Sequence, residues 1–174
     1  MGALTIREAR PGDWPAIWNL MEPIVRAGET YCWDTGTTGE QARLLWLEPA
    51  PTVVFVALKD GKAAGTAQLH PNKSGNGSHV ANASFMTASE FSGQGVARAL
   101  GEHVLAEAAR RGYRSMQFNA VVETNTRAVA LWQSLGFSIL ATVPEAFRHP
   151  AKGLTGLHIM HRTLDVDGSE RMGT

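Results

Sequence analysis

A glycine-rich turn before a predicted helix has the residue types and spacing of an anion-binding site. It reads Ser92-Gly93-Gln94-Gly95-Val96-Ala97, and apolar residues at helical spacing follow it. Unpaired N–H groups at a helix start, with the positive end of the helix dipole, bind phosphate. Glycine allows the phosphate to approach the backbone closely. Two such glycines more often form an ordinary turn, and neither GxGxxG nor the GK[ST] of a P-loop is completed.

A second segment changes this interpretation. Asn125-Thr126-Arg127-Ala128 leads to Leu131-Trp132 and then to Gly136-Phe137. Together, the two segments resemble the GNAT superfamily (Gcn5-related N-acetyltransferases), and the predicted element order matches that fold from about Leu4 to Leu164. The resemblance implies an acyltransferase enzyme that moves the acetyl group of acetyl-CoA, its cosubstrate, directly to a primary amine. It implies no metal.

By this resemblance, the turn holds the coenzyme A pyrophosphate through the backbone N–H groups of Ser92, Gly93, Gln94, Gly95, Val96 and Ala97. Arg98 is either a nearby cation or part of a solvated helix face. The strand Phe85-Met86-Thr87 should diverge from Gln117-Phe118-Asn119 and pair with the pantetheine arm. A backbone N–H near Met86 or Thr87 is then expected to polarise the thioester carbonyl.

The helix that follows Asn125 should flank the pantetheine arm. Asn125 itself either contacts the arm or caps the helix N-terminus, and both roles are compatible. Trp132 replaces a tyrosine that protonates the departing thiolate in many relatives, and an indole N–H is not an acid near neutral pH. Ser92 stands where the family usually has Arg or Gln, so we expect weaker cofactor affinity rather than lost binding.

Three polar residues are candidates for catalysis. Glu29 and Glu123 could each act as a general base through water, and each could equally be a solvated carboxylate. Asn119 could anchor the acceptor or a water molecule. His149 is predicted in a loop that borders the acceptor cleft. Cys32 is more readily structural than nucleophilic, because no histidine partner is identifiable.

The acceptor class is indicated only coarsely. The stretch from Glu29 to Trp46 is similar to the phosphinothricin-acetyltransferase branch, which suggests a small polar amine. Because Trp132 replaces the acid, a coenzyme A-binding regulatory module without catalysis is a second hypothesis. A protein or peptide N-acetyltransferase is a third hypothesis.

The composition limits the classes of partner. The chain has 174 residues, and 16 basic residues balance 16 acidic ones, so nothing points to nucleic acid or a membrane. The lone cysteine and the absence of a signal-peptide pattern suggest a cytoplasmic protein. A homodimer is expected only because dimers are common in the superfamily.

The hydrophobic pattern predicts one α/β domain over residues 1–164 and a flexible tail over 165–174. The element order is strand, two helices, three strands, helix, strand, helix and two strands. This order predicts a mixed sheet of about seven strands with helices on both faces, as in the GNAT acyl-CoA N-acyltransferase fold.

Overall fold

The computed structural model describes residues 3–165. Its α-helices are α1 (Trp14–Ala27), α2 (Gly39–Trp46), α3 (Val96–Arg110) and α4 (Thr126–Ser134). Its strands are β1 (Leu4–Glu8), β2 (Val53–Lys59), β3 (Lys62–Pro71), β4 (Val80–Thr87), β5 (Ser115–Val122), β6 (Ser138–His149) and β7 (Gly153–Thr163). The mixed fold with seven strands is confirmed. The tail predicted to be flexible, residues 165–174, lies outside the described residues except for Asp165.

All seven strands form one sheet in the order β1-β2-β3-β4-β5-β7-β6. Neighbouring strands are antiparallel except β4 and β5, which run parallel and are joined by α3. The β4–β5 pairing joins Val80 to Ser115 and Ala81 to Met116, and it ends there. Beyond these residues the two strands diverge, so a gap opens in the middle of the sheet.

Helices cover both faces of the sheet. Phe55 and Ala57 of β2 pack in the core that includes α3 and α4, whereas Val54 and Val56 pack in the core with α1 and α2. This alternation follows from the two-residue period of a strand. No helix within residues 3–165 is both long and apolar enough to cross a membrane.

Local sequence signals set the ends of α1 and α2. Pro15 lies in the first turn of α1, and Gly28 ends the helix with a φ of 64°. A capping box begins α2: the Gln41 N–H donates to the Thr38 hydroxyl, and the Thr38 N–H donates to the Gln41 side chain. The segment between Gly28 and Thr38 is therefore held between two defined helix ends.

The position predicted for His149 is wrong. His149 is the last residue of β6, is only 7% exposed, and does not line the cleft described below. Its Nδ1 accepts the N–H groups of Ala151 and Lys152 at 3.1 and 3.2 Å, so it closes the β6–β7 turn. A strand that is largely exposed on both faces lacks the apolar alternation that would have indicated it.

An ion pair fastens β1 to the turn before α1. The Arg7 guanidinium donates to both carboxylate oxygens of Asp13, at 2.7 and 2.8 Å, and the Arg10 N–H donates to Asp13 as well. The hydrogen bonds from Arg7 are the main reason that the pKa of Asp13 falls from 3.8 to about 2. Because the folded pKa lies below the unfolded one, this carboxylate stabilises the fold above pH 4 and loses that effect as pH falls towards 2.

We therefore expect Asp13→Asn to lower the free energy of unfolding at pH 7 by about 1–2 kcal/mol, a value reduced for partial exposure of the pair. The difference from the unsubstituted chain should shrink steadily between pH 5 and pH 2. Urea unfolding over that pH range measures it. Glu22→Gln, which breaks the exposed pair with Arg26, should change little at any pH. If the difference in free energy of unfolding between Asp13→Asn and the unsubstituted chain does not depend on pH, the role given to the Asp13 charge is contradicted.

Candidate functional site

A cleft of about 830 Å³ passes through the gap between β4 and β5. One wall comes from the turn before α3 and from α4, and the opposite wall comes from α1, α2 and the segment that joins them. The first wall includes Ser92, Gly93, Gly95, Val96, Ala97, Arg98, Asn125, Arg127 and Trp132. The second wall includes Ile24, Thr30, Tyr31, Cys32, Trp33, Leu45, Trp46 and Glu48. The volume is that of a small-molecule site.

Aromatic side chains fill the point at which the strands separate. Phe118 of β5 packs against Phe85 of β4, Trp132 of α4 and Phe137, with ring centroids 6.0, 5.0 and 4.3 Å away. Trp132 is 7% exposed and also contacts Phe85 at 4.7 Å. Each such pair contributes about 0.5–1.5 kcal/mol beyond area burial. Trp132 therefore has a packing role in addition to lining the cleft.

The turn before α3 presents free backbone donors to the cleft. The N–H groups of Ser92 and Gln94 are used within the turn, by Ser89 and Phe91. In the described part of the chain, no backbone acceptor takes the N–H groups of Gly93, Gly95, Val96 or Ala97. Gly93 and Gly95 have φ of 74° and 80°, and no heavy atom lies within 4 Å of a Cβ built on either. The turn has the open backbone that an anion needs.

Side chains near this turn add two cations. Arg98 lines the cleft and also donates to the Ser134 hydroxyl at 2.8 Å, which ties α3 to α4. Arg127, which the sequence did not single out, is an exposed residue that lines the same end. The Gln94 side chain is directed away from the cleft, where it contacts Lys59 and the Glu90 carbonyl.

Asn125 lies where α4 meets the cleft. Its Oδ1 accepts the N–H of Ala128 at 3.3 Å, so the side chain caps α4. The residue also lines the cleft. The cap holds the amide plane at the helix start, which leaves Nδ2 as a donor for a ligand in the cleft.

The edge of β4 that faces the gap has no partner strand beyond Ala81. In a strand, the N–H and C=O of successive residues point to opposite edges. The N–H of Ala88 donates to Ala64 on β3, so the backbone groups of Met86 also face β3. Those of Phe85 and Thr87 face the gap. Both polar groups of Phe85 are bonded to the Tyr31 hydroxyl, at 2.9 and 2.6 Å.

The predicted catalytic carboxylates do not line this cleft. The Glu123 carboxylate accepts the Gly156 N–H at 2.6 Å, and the Glu123 N–H donates to the Gly156 carbonyl at 3.0 Å. Glu29 is exposed beside a neighbouring cavity of about 650 Å³. Asn119 does line the cleft; its Nδ2 donates to Asn72 at 2.7 Å, and its Oδ1 accepts from Gln117 at 3.0 Å.

Besides Arg127, Glu48 and Tyr31 line the cleft but were missed as site residues in the sequence. Glu48, just after α2, is the one carboxylate among the lining residues of the described chain. Its signal in the sequence was its place beside Pro49, at the end of a predicted helix. Tyr31 lies two residues after Glu29, yet nothing local indicates that it contacts Phe85, 54 residues away in sequence. Within residues 3–165, no group of three His, Cys, Asp or Glu side chains could hold a metal ion.

The arrangement combines two chemistries in one cleft. One end offers free N–H groups, a helix N-terminus and two guanidinium groups, which suit a phosphorylated ligand. The other end offers three aromatic side chains and one carboxylate, which suit an organic amine. The unpaired edge of β4 connects the two ends, so an extended ligand can span them through backbone hydrogen bonds.

Comparisons with known proteins agree with this geometry. Residues 14–137, more than half of the chain, match the model of the acetyltransferase (GNAT) family. The structure of a GCN5-related N-acetyltransferase from Kribbella flavida is 53% identical, with a TM-score of 0.89 over 93% of this chain and 98% of that one.

Two more distant relatives extend the comparison. N-acetyltransferase aca1 of Schizosaccharomyces pombe is 31% identical over 102 residues. The match covers 58% of this chain and 48% of that protein's length. A phosphinothricin acetyltransferase from Sinorhizobium meliloti, solved with acetyl-CoA, shares the fold at 20% identity, with a TM-score of 0.83 over 92% of this chain and 88% of that one. The family match and the geometry of the turn together show that the chain belongs to the GNAT family of acetyltransferases.

Proposed function

We propose that this chain moves the acetyl group of acetyl-CoA to a primary amine of a small polar acceptor, by direct attack of the amine. The observation that carries the proposal is the turn before α3, whose free N–H groups lie at one end of a cleft that passes through the sheet. When bound, acetyl-CoA supplies the activated acetyl group. The chain's residues bind it, orient the amine and direct proton movement.

The residues fit coenzyme A in three respects. Gly93 and Gly95 leave room for a pyrophosphate against the backbone, because side chains are absent there and the space is open. Arg98 and Arg127 flank that end with positive charge. The open edge of β4 can accept the amides of a pantetheine arm as it would accept a neighbouring strand. Ser92 offers no charge, so most of the recognition falls to the backbone.

The opposite end of the cleft fits a small amine. Trp33 and Trp46 lie edge to face with centroids 6.1 Å apart, and Tyr31 packs on Trp33 at 6.2 Å. Glu48 adds a negative charge to this aromatic wall. The likeness to the phosphinothricin acetyltransferase lies in the fold, so the acceptor panel below includes phosphinothricin without presuming it.

Proton transfer must use groups other than an acid at Trp132. The attacking amine has to be neutral and has to lose a proton, and a thiol of pKa about 8.5 leaves tolerably as thiolate. Glu48 borders the acceptor end directly, whereas Glu29 and Glu123 could reach it only through water. We therefore add Glu48 to the two carboxylates as a candidate general base, with Asn119 as a polar anchor.

The decisive experiment is a thiol-release assay over amines, amino acids, phosphinothricin and peptides, with coenzyme A binding measured in parallel by thermal shift. Turnover on small amines supports the proposal. Turnover restricted to peptides would favour a protein N-acetyltransferase. Tight coenzyme A binding without any turnover would favour a regulatory module, and failure to bind acetyl-CoA would overturn the whole proposal.

The placement of the phosphate site predicts the effect of Gly95→Asp. The added carboxylate would lie against the phosphates, so we expect the Kd for coenzyme A to rise tenfold or more, a loss of about 1.4 kcal/mol. Isothermal titration calorimetry measures this. Gly112→Asp is a matched control, because Gly112 also has a positive φ, 86°, and open space, but lies at the other end of α3. Equal losses for both variants would refute the placement.

The carboxylates can be ranked by substitution. We expect Glu48→Gln to lower kcat/KM for the acceptor by about 10–100-fold without changing the Kd for coenzyme A, since a positioned base contributes at least that much. Glu29→Gln and Glu123→Gln should each change it less than about threefold. Rate profiles against pH separate the cases. If the acidic limb, on which the rate rises as the base loses its proton, disappears in Glu29→Gln or Glu123→Gln instead, that residue carries the proton.

We also propose a homodimer, together with the cytoplasmic location that the lone exposed Cys32 suits. Ile139, Leu140, Val143 and Leu154 of the β6–β7 hairpin are exposed apolar residues, and covering them is favourable. Sedimentation should give twice the 18.7 kDa monomer mass. Leu140→Asp should shift the chain to monomer, whereas Leu44→Asp, at an exposed position of α2, should not. If the unsubstituted chain sediments as a monomer, the proposed dimer is contradicted.

A further inference from the structure

Tyr31 is bonded to the open edge of β4 through a single atom. Its hydroxyl donates to the Phe85 carbonyl at 2.6 Å and accepts the Phe85 N–H at 2.9 Å. The side chain comes from the segment between α1 and α2, and therefore from the acceptor wall of the cleft. Through this bond the segment between the two helices contacts β4 at Phe85.

The same backbone groups are needed by the reacting molecules. A ligand held at the Gly95 turn extends back along β4, passing Thr87 first and Phe85 next. An acceptor bound among Trp33, Trp46 and Glu48 can reach the thioester only where the two walls meet. At Phe85 the acceptor wall reaches the edge of β4 that faces the gap, so the Phe85 N–H is a donor available to the thioester carbonyl.

The Tyr31 hydroxyl has the hydrogen-bonding pattern of both reactants. It accepts from the Phe85 N–H, as a thioester carbonyl would, and it donates to the Phe85 carbonyl, as an attacking amine would. Two acceptors cannot occupy one N–H with good geometry. A thioester carbonyl that takes this N–H must therefore displace the hydroxyl.

We propose that Tyr31 and the acetyl group of acetyl-CoA compete for the Phe85 backbone, so that Tyr31 is a positioning residue that couples acetyl-CoA binding to the acceptor wall. This inference rests on the proposed function. Displacement of the hydroxyl moves the aromatic contact with Trp33, and through Trp33 the contact with Trp46. Acceptor binding then follows binding of the acetylated cofactor.

Burial keeps this hydroxyl protonated. It raises the pKa of Tyr31 above its usual value of 10, more than the hydrogen bonds with Phe85 and Ser84 lower it. The competition is therefore between neutral groups and should not depend on pH in the neutral range. It should depend on the acetyl carbonyl, which free coenzyme A lacks.

The test compares acetyl-CoA with coenzyme A by titration calorimetry. We expect Tyr31→Phe to tighten acetyl-CoA binding about two- to tenfold, the range set by loss of one competing hydrogen bond, and to leave coenzyme A within about twofold. Tyr113→Phe is the matched control, because Tyr113 is the only other tyrosine and its ring does not line the cleft. It should change neither affinity.

A second measurement does not require a variant with altered affinity. In the chain labelled with 3-fluorotyrosine, the two tyrosines give two fluorine resonances, which Tyr31→Phe assigns. Acetyl-CoA should shift the Tyr31 resonance, and coenzyme A should leave it in place. An unmoved Tyr31 resonance with acetyl-CoA would overturn the competition.

The calorimetric outcomes are equally decisive. Weaker acetyl-CoA binding in Tyr31→Phe, an equal change for both ligands, or no change would each show that the hydroxyl only supports the fold. These results differ from a failure of the proposed function, in which the unsubstituted chain would bind neither ligand. Thermal melting of each variant confirms that the chains compared are folded.

Discussion

The separation of β4 from β5 is the constraint on which the rest of the structure depends. Parallel strands normally continue to pair, yet here pairing stops after Ala81 and Met116. The aromatic rings of Phe85, Phe118 and Trp132 pack together on one face of the sheet beside this separation. The separation leaves this edge of β4 without a partner strand. The Tyr31 hydroxyl satisfies Phe85, whereas the backbone groups of Thr87 face the gap, and an unpaired buried polar group costs about 1–3 kcal/mol. A ligand that pairs with this edge recovers that free energy.

The two walls of the cleft are held by different means. Buried polar bonds fix the end of α2: the Trp46 indole donates to the Thr66 hydroxyl at 3.1 Å, and the Gln68 amide donates to the Leu45 and Trp46 carbonyls at 2.9 Å. In the proposed function this wall acts through its side chains, so those side chains must be held in fixed positions. The turn before α3 acts through its backbone, so Ser92 can replace a charged residue there without removing the N–H groups.

Features set by local chemistry could be predicted from the sequence, and features set by distant contacts could not. Gly28, Gly112 and the glycines of the turn mark helix boundaries, so the element order and the phosphate end could be inferred. Tyr31 could not, because its partner lies on another element and only the closed fold brings them together. The hydrogen bond between Glu123 and Gly156 likewise forms only when β7 is in place. It gives the Glu123 carboxylate a structural contact between the end of β5 and β7.

Trp132 contributes packing beside the proposed cofactor site, but it cannot contribute to proton transfer. Its indole is almost fully buried against Phe85, Phe118 and Phe137, so the position is filled chiefly for packing at the point where the strands divide. A smaller side chain there would leave a cavity beside β4. An indole cannot deliver a proton, and Tyr31 is held neutral by burial. The proton movement that we propose therefore relies on a carboxylate and water rather than on the position that the family's tyrosine occupies.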